Sequence, residues 1–166
     1  MMKSLFGAIA FSAALLSAAP SFAQSAAFDT SQFSPDTRAA IQQARDAQRR
    51  AMMAAARSGG TGAGLVRFEG VAGDEYAGEC SPCDGDDTQR NGYGVLSWDD
   101  GEFYAGSHAR GGEGGMKHGY GVYVFANGDS YEGQLSAEQF NGFGVFWNAD
   151  GSVRHAGRFL NGQPAN

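Results

Sequence analysis

The two cysteines of the chain form the motif Cys80-Ser-Pro-Cys83, which has the spacing of thiol-disulfide oxidoreductases. A redox-active pair needs a thiolate stabilised by a helix N-terminus beside a βαβ pattern, and the sequence shows neither. The carboxylates of Glu79 and Asp84 would instead raise the pKa of a nearby thiol. We therefore predict a structural disulfide between Cys80 and Cys83, a bond that is common in exported proteins. Thiol-disulfide activity is the weaker alternative.

Metal ligation is the second chemistry that these residues could support. A zinc site would combine Cys80 with His108, and His118 or Asp84 would have to complete the four ligands that zinc prefers. The acidic segment 84–87 lacks the spacing of an EF-hand loop. The Gly-x-Gly pairs precede strands rather than helices, so they do not form a dinucleotide fingerprint. We predict no metal, no cofactor and no catalytic residue, and hence no enzyme.

The dominant feature of the chain is a repeat of Gly-x-Gly, a short apolar stretch, Asp-Gly or Asn-Gly, and then a ring and a glycine. Three copies cover residues 92–106, 119–133 and 142–162, and a degenerate copy covers residues 62–78. The turn glycines Gly101, Gly128 and Gly151 are 27 and 23 residues apart. A short period of this kind indicates one supersecondary unit stacked on copies of itself.

Each copy reads as a β-hairpin. Asp-Gly or Asn-Gly between apolar runs predicts a type I′ turn, in which both central residues have positive φ. A lone hairpin is unstable in water, so the copies should pair into one sheet, with Gly106 and Gly133 where backbones approach closely. Strand alternation puts Val95 on one face and Leu96 and Trp98 on the other. Because neither face is fully polar, we expect both to be partly covered or one to form a groove.

The pattern Tyr-x-Gly, then Gly-x-Gly, then Asp-Gly or Asn-Gly at a 23-residue period resembles the MORN (membrane occupation and recognition nexus) repeat. The resemblance covers roughly residues 62–163. It implies a mainly β protein built as an elongated, single-layer antiparallel meander of hairpins with a groove lined by aromatic rings. It also implies an adaptor, because such proteins dimerise, bind partner proteins or associate with membranes.

The chain departs from this pattern at one position of the repeat. The family often places an aromatic residue two positions after the Tyr-x-Gly glycine, and Phe159 alone matches here. Cys80, His108 and Leu135 hold the equivalent places in the other copies. The last copy has His155 where tyrosine is expected, one residue late. We therefore expect an uneven groove.

The N-terminus reads as a secretory signal peptide, residues 1–23. A positive start is followed by an apolar run from Leu5 to Ala19, and Ser21-Phe-Ala23 offers small residues for cleavage before Gln24. A retained anchor is the alternative, but a run of about 15 residues is short for a bilayer. We predict an exported protein, either periplasmic or secreted.

Residues 24–34 read as a disordered loop, and a helix follows over residues 35–57 before the linker 58–61. Ser34 is a candidate N-cap and Pro35 suits the first helical position. We expect this helix to cap the first hairpin, as terminal repeats require. The alternative is a basic membrane-surface helix, although the segment lacks the Trp, Phe and Leu anchors of such helices.

Charge divides the chain into two parts. From residue 62 onward six Arg or Lys face fifteen Asp or Glu, whereas residues 24–61 carry five Arg against three Asp. An acidic sheet excludes nucleic acid, whose phosphates need a basic stripe. It also disfavours anionic lipid head groups as ligands of the sheet itself.

The sequence thus predicts a non-catalytic interaction module of the cell envelope that binds a partner protein through the aromatic face or the edge of the sheet. The alternative is an envelope lipid- or glycan-binding protein that uses an aromatic groove. A membrane-surface contact and a homodimer also remain open. The candidate binding residues are large rings within the repeats: Trp98, Tyr104, Phe125, Tyr131 and Trp147.

Overall fold

The residues that the structure describes form one helix and one nine-stranded sheet. The computed structural model describes residues 30–58, 64–69, 73–83, 89–112 and 114–165, so the predicted signal peptide lies outside the described residues. Helix α1 spans Pro35–Arg57. The strands are β1 Leu65–Glu69, β2 Asp74–Cys80, β3 Arg90–Trp98, β4 Phe103–Ala109, β5 Met116–Val124, β6 Ser130–Ser136, β7 Gln139–Trp147, β8 Val153–Leu160 and β9 Gln163–Ala165.

The strands form a single antiparallel sheet in which spatial order follows chain order from β1 to β9. Every strand therefore pairs with its neighbours in sequence, which is the arrangement that stacked hairpins produce. The prediction of a mainly β, single-layer meander with one N-terminal helix is confirmed.

The predicted type I′ turns at the Asp-Gly and Asn-Gly motifs are wrong. In the turn after β5, the Gly128 N–H donates to Phe125 O and the Phe125 N–H donates to Asp129 O, which makes a three-residue loop. Gly128 alone has positive φ there, at 87°, and Asn127 does not. The loop is a type I turn that ends in a glycine bulge, and Gly101 and Gly151 occupy the same place in their turns.

Two-residue turns with positive φ at both positions occur elsewhere in the sheet. Asn161 and Gly162 connect β8 to β9 with φ of 51° and 80°. Ala137 and Glu138 connect β6 to β7 with φ of 47° and 72°, although neither is a residue that favours this region. The turn at Ala137 and Glu138 is therefore strained, and it lies beside the site described below.

Helix α1 begins at a capped N-terminus and crosses one whole face of the sheet. The Ser34 hydroxyl accepts a hydrogen bond from the Thr37 N–H at 3.2 Å, and Asp36 stands in the first turn. The helix contacts strands β1 to β8 rather than the first hairpin alone, which corrects the expectation of a local cap. Its buried side is made mostly of small residues: Thr37, Ala40, Ile41, Ala44, Ala47, Gln48, Ala51, Ala54 and Ala55.

Small side chains on the sheet explain why the helix can lie so close. The residues directly opposite one another across the strands form a row of buried, mostly small side chains beneath the helix: Ala77, Val95, Ala105, Val122, Glu132 and Val145. One charged member, Glu132, is 2% exposed. Arg45 of the helix donates to its two carboxylate oxygens at 2.6 and 3.3 Å, so this ion pair fixes the helix on the sheet.

Candidate functional site

The face of the sheet opposite the helix is built from tyrosine rings that lie over glycines. A Cβ added to Gly121 would lie 2.4 Å from the Tyr104 ring, so only glycine admits the ring there. The Tyr104 hydroxyl donates to the Ser107 carbonyl at 2.9 Å. Tyr76 and Tyr131 make the same bond to the carbonyl three residues on, at 2.6 and 2.9 Å. The Tyr-x-Gly motif is thus a packing and hydrogen-bonding unit of each repeat.

His155 takes the place of tyrosine in the last repeat. Its Nε2 atom lies 3.3 Å from the Arg158 carbonyl, the same i to i+3 contact that the tyrosines make. The register between β7 and β8 shifts between Phe146 and Trp147, and this irregularity absorbs the extra residue that makes His155 one position late. The departure seen in the sequence therefore preserves the geometry of the repeat.

The residues two positions after the Tyr-x-Gly glycines are all buried on this same face. Cys80, His108, Leu135 and Phe159 are 5%, 4%, 3% and 2% exposed. His108 lies between the rings of Tyr76 and Tyr104 with ring centroids 5.2 Å apart in each case. Burial, with the charges of Arg90 and Lys117, lowers the pKa of His108 to about 3, so this imidazole is neutral at pH 7.

Cys80 and Cys83 form a disulfide with their Cα atoms 5.2 Å apart, as predicted. The Ser81 N–H donates to Gln89 O and the Gln89 N–H donates to Pro82 O, so the base of the loop between β2 and β3 is closed. Because its sulfur is bonded, Cys80 cannot serve as the thiolate ligand that the zinc hypothesis required. Within the described residues no group of three or more His, Cys, Asp or Glu side chains could hold a metal ion.

Three of the candidate binding residues lie in the interior. Tyr104 and Tyr131 are 0% exposed, and Trp147 is 3% exposed on the helix side, with its ring 6.0 Å from that of Phe33. Tyr104 and Tyr131 pack within the face opposite the helix and Trp147 packs beneath the helix, so none of the three rings is presented at the surface. Trp98 and Phe125 are half-exposed on the open face, where a partner could reach them.

Trp98 and Phe125 belong to a continuous run of half-exposed rings, which we call the aromatic stripe. Its members run across strands β3 to β7 on the face opposite the helix: Trp98, Tyr123, Phe125, Phe140 and Phe146. The ring centroids of Trp98 and Tyr123 are 6.0 Å apart, and those of Tyr123 and Phe125 are 4.6 Å apart. Phe125 lies 5.4 Å from Phe146 and 6.2 Å from Phe140, which completes the stripe.

Carboxylates surround the centre of the stripe. The Tyr123 hydroxyl donates to Glu102 at 2.6 Å. Burial raises the pKa of Tyr123 well above its usual range, and Glu102, Asp100 and Glu138 raise it further. The phenol is therefore neutral and remains a donor at physiological pH. This part of the stripe combines apolar rings with negative charge.

Two cations also touch the rings, and each is already paired with an acid. Lys117 places its Nζ atom 5.3 Å from the centroid of Trp98 and forms an ion pair with Glu138. Arg154 lies 4.6 Å from the ring of Phe146 and contacts Asp129 at 2.7 Å. Because these cations are neutralised locally, the remaining carboxylates leave the surface around Tyr123 acidic.

Sequence reasoning missed three of the five rings of the stripe. Tyr123, Phe140 and Phe146 were not among the candidates, although strand alternation alone puts Tyr123 and Phe125 on one face. Phe146 is directly opposite Tyr131, but the bulge between β6 and β7 brings Phe140 opposite Leu135. That shift in register carries no clear sequence signal.

A comparison with protein families identifies the repeat. The MORN repeat family matches residues 87–103, 113–130 and 131–153, which include the strands that carry the stripe. Residues 62–78 lie outside these matches, although the hairpin of β1 and β2 has the same tyrosine-over-glycine packing. No curated protein sequence gives a significant match.

No helix in the described ranges is both long and apolar enough to cross a membrane. MORN repeats generally serve as non-catalytic modules for contact with proteins or membranes. Three family matches in series, on an antiparallel meander, identify MORN repeats within residues 87–153.

Proposed function

We propose that this protein is a non-catalytic interaction module that binds a segment of a partner protein on the aromatic stripe. The observation that carries the proposal is the run of half-exposed rings on the face opposite the helix. Soluble proteins rarely expose contiguous apolar patches unless the patch has a partner. Large rings are also the side chains that dominate binding energies at protein interfaces.

The other face of the sheet has its partner within the chain. Helix α1 contacts eight of the nine strands there, and the buried pair of Arg45 and Glu132 fixes it. A foreign segment could reach that face only by displacing the helix and leaving Glu132 without its cation. The stripe requires no such displacement, which is why we assign the binding to it.

The composition of the stripe favours an apolar and basic segment. Rings of Trp98 and Phe125 offer apolar area and π-faces for cations, and Glu102 and Asp100 supply the complementary charge. An acidic segment would meet these carboxylates and be repelled.

We further propose that the module works outside the cytoplasm, in the periplasm or as a secreted protein. The support is the signal-peptide pattern of residues 1–23 together with the disulfide of Cys80 and Cys83. Protein purified from the export compartment should have an intact mass that begins at Gln24. Both cysteines should resist alkylation until reductant is added, as a structural disulfide requires. The protein should also fail to reduce insulin, as expected in the absence of oxidoreductase activity.

The binding proposal is tested with two synthetic peptides, one alternating leucine with arginine and the other leucine with glutamate. The first should bind and the second should not. The double variant Trp98→Ala/Phe125→Ala should lose the binding. Phe143→Ala is the matched control, because Phe143 is also half-exposed but is not part of the stripe. Equal affinity of the wild type for both peptides, or equal loss in the control, would contradict the proposal.

Lipid and glycan binding are outcomes of the same test. Vesicles of phosphatidylcholine, with and without phosphatidylglycerol, and a soluble peptidoglycan fragment replace the peptides in parallel assays. Binding to vesicles that disappears in Trp98→Ala/Phe125→Ala, with no peptide binding, would make the stripe a lipid site. Binding of the peptidoglycan fragment with the same dependence would make it a glycan site.

A further inference from the structure

The outer surface of helix α1 has the chemistry that the stripe should recognise. Exposed arginines and two exposed methionines share it: Arg38, Arg49, Arg50, Arg57, Met52 and Met53. The methionines are 50% and 59% exposed, and they are among the large apolar side chains left uncovered in the described chain. The helix also carries two acids, Asp36, which is exposed, and Asp46, whose side chain is 46% exposed and forms an ion pair with Arg49, so four exposed arginines face two carboxylates. The outer helix surface is thus basic and apolar.

We infer that the partner of the aromatic stripe is the helix of a second copy of this chain, so that molecules stack front to back. This inference rests on the proposed function of the stripe and names its ligand. The two surfaces are complementary in charge, with arginines on one and carboxylates around Tyr123 on the other. They are complementary in apolar character as well, since methionine side chains adapt well to aromatic rings.

The directions of the two surfaces agree. Helix α1 crosses the strands, because it contacts β1 through β8 in turn. The stripe also crosses the strands, from Trp98 on β3 to Phe146 on β7, over four strand spacings or about 19 Å. The helix is about 34 Å long and can cover this distance. A copy translated along the normal of the sheet, without rotation, brings its helix along the stripe of the first.

This geometry makes the contact heterologous, because each molecule offers its helix to one neighbour and its stripe to another. Such a contact does not close on itself unless a rotation intervenes, so association should continue with concentration into stacks. The attraction between exposed charges is screened by salt. Raising the ionic strength to about 1 M, where the Debye length is about 3 Å, should weaken the association.

The test uses two variants, each of which blocks one surface. Arg49→Glu/Met53→Glu blocks the helix surface, since these residues are one turn apart and exposed. Trp98→Ala/Phe125→Ala blocks the stripe. Arg158→Glu/Leu160→Glu makes the same change of charge at exposed positions on β8 and serves as the control. Circular dichroism and the thermal transition establish that each variant folds.

Sedimentation velocity over a wide range of protein concentration gives the readout. The wild type and the control should gain mass with concentration, and each blocked variant alone should stay monomeric. A mixture of the two blocked variants should form one-to-one dimers and nothing larger, because one supplies a helix and the other a stripe. Larger species in the mixture, association of a blocked variant alone, or no association in the mixture would overturn the inference.

The outcome also separates this inference from the proposed function. A wild type that stays monomeric at every concentration but binds the leucine–arginine peptide through its stripe would overturn stacking and leave the proposed function intact. If Trp98→Ala/Phe125→Ala self-associates as well as the wild type does, and the wild type binds no peptide, both the stacking inference and the proposed function would be overturned.

Discussion

The ion pair that fixes the helix on the sheet gives the sharpest prediction about stability. Glu132 has 3% of its side chain exposed, and Arg45 has 25%. Arg45→Met keeps a long helix-forming side chain but removes the cation, so the carboxylate is left buried without its partner. Breaking a buried pair in this way costs about 3–5 kcal/mol, and we expect a loss of that size in the free energy of unfolding.

Two further variants separate the buried charge from the helix itself. Arg49→Met removes an arginine from the same helix whose side chain is 66% exposed, and it should change the free energy of unfolding by less than about 0.5 kcal/mol. Arg45→Met/Glu132→Leu replaces the pair with apolar groups and should recover most of the loss. Urea denaturation at pH 7 measures all three. A double variant as unstable as Arg45→Met would refute the reasoning.

The pH dependence of Arg45→Met provides an independent check. Burial already raises the pKa of Glu132, against the hydrogen bonds from Arg45 and Trp147, and loss of the arginine should raise it further. A carboxyl group with a raised pKa in the folded state contributes stability that is fully present below the unfolded pKa and is lost as pH rises through the folded value. The deficit of Arg45→Met relative to wild type should therefore be smaller at pH 4.5 than at pH 7.

Three more predictions follow from the packing of the open face. The pKa of His108 is about 3, against 6.5 in the unfolded chain, so the free energy of unfolding should fall by up to roughly 5 kcal/mol as pH drops through that interval. Urea denaturation at several pH values measures this fall, and His108→Leu should flatten it. Gly121→Ala would place a methyl group 2.4 Å from the ring of Tyr104 and should cost about 3 kcal/mol, whereas Tyr104→Phe should cost about 1 kcal/mol for its lost hydrogen bond. Ala137 has a φ of 47°, so Ala137→Asn should stabilise the protein by about 0.5 kcal/mol. Ala126→Asn is the control and should give no gain, because φ is not positive at that position. A gain at both positions would argue against strain in the turn.

The repeat pattern predicted the fold well because it encodes local geometry. Turn glycines and alternating rings specify hairpins, and hairpins in series can only pair with their neighbours. The type of turn was predicted wrongly because Asn127-Gly128 was read as a two-residue loop. The hydrogen bonds make Ala126 part of a three-residue loop. An Asn-Gly dipeptide by itself does not distinguish a two-residue loop from a three-residue loop.

The position of the helix and the identity of the site were less predictable. Small residues along the helix indicated a weak apolar side, but nothing in the sequence showed that it would match the row of Val95, Ala105 and Val122 beneath it. The candidate rings were chosen by size and repeat position. That choice included Tyr104 and Tyr131, which the glycines opposite them draw into the interior. Which rings face solvent depends on contacts between strands that the sequence does not record.

The central claim is that a partner binds the aromatic stripe, and the two tryptophans of the chain allow it to be tested directly. Trp98 lies half-exposed on the stripe, whereas Trp147 is buried beside the helix. Trp147→Phe therefore leaves a reporter on the stripe, and Trp98→Phe leaves one on the opposite face. On titration with the leucine–arginine peptide, emission of the Trp147→Phe variant should shift to the blue and become protected from acrylamide, while the Trp98→Phe variant should not respond. A response from the Trp98→Phe variant alone would contradict the account.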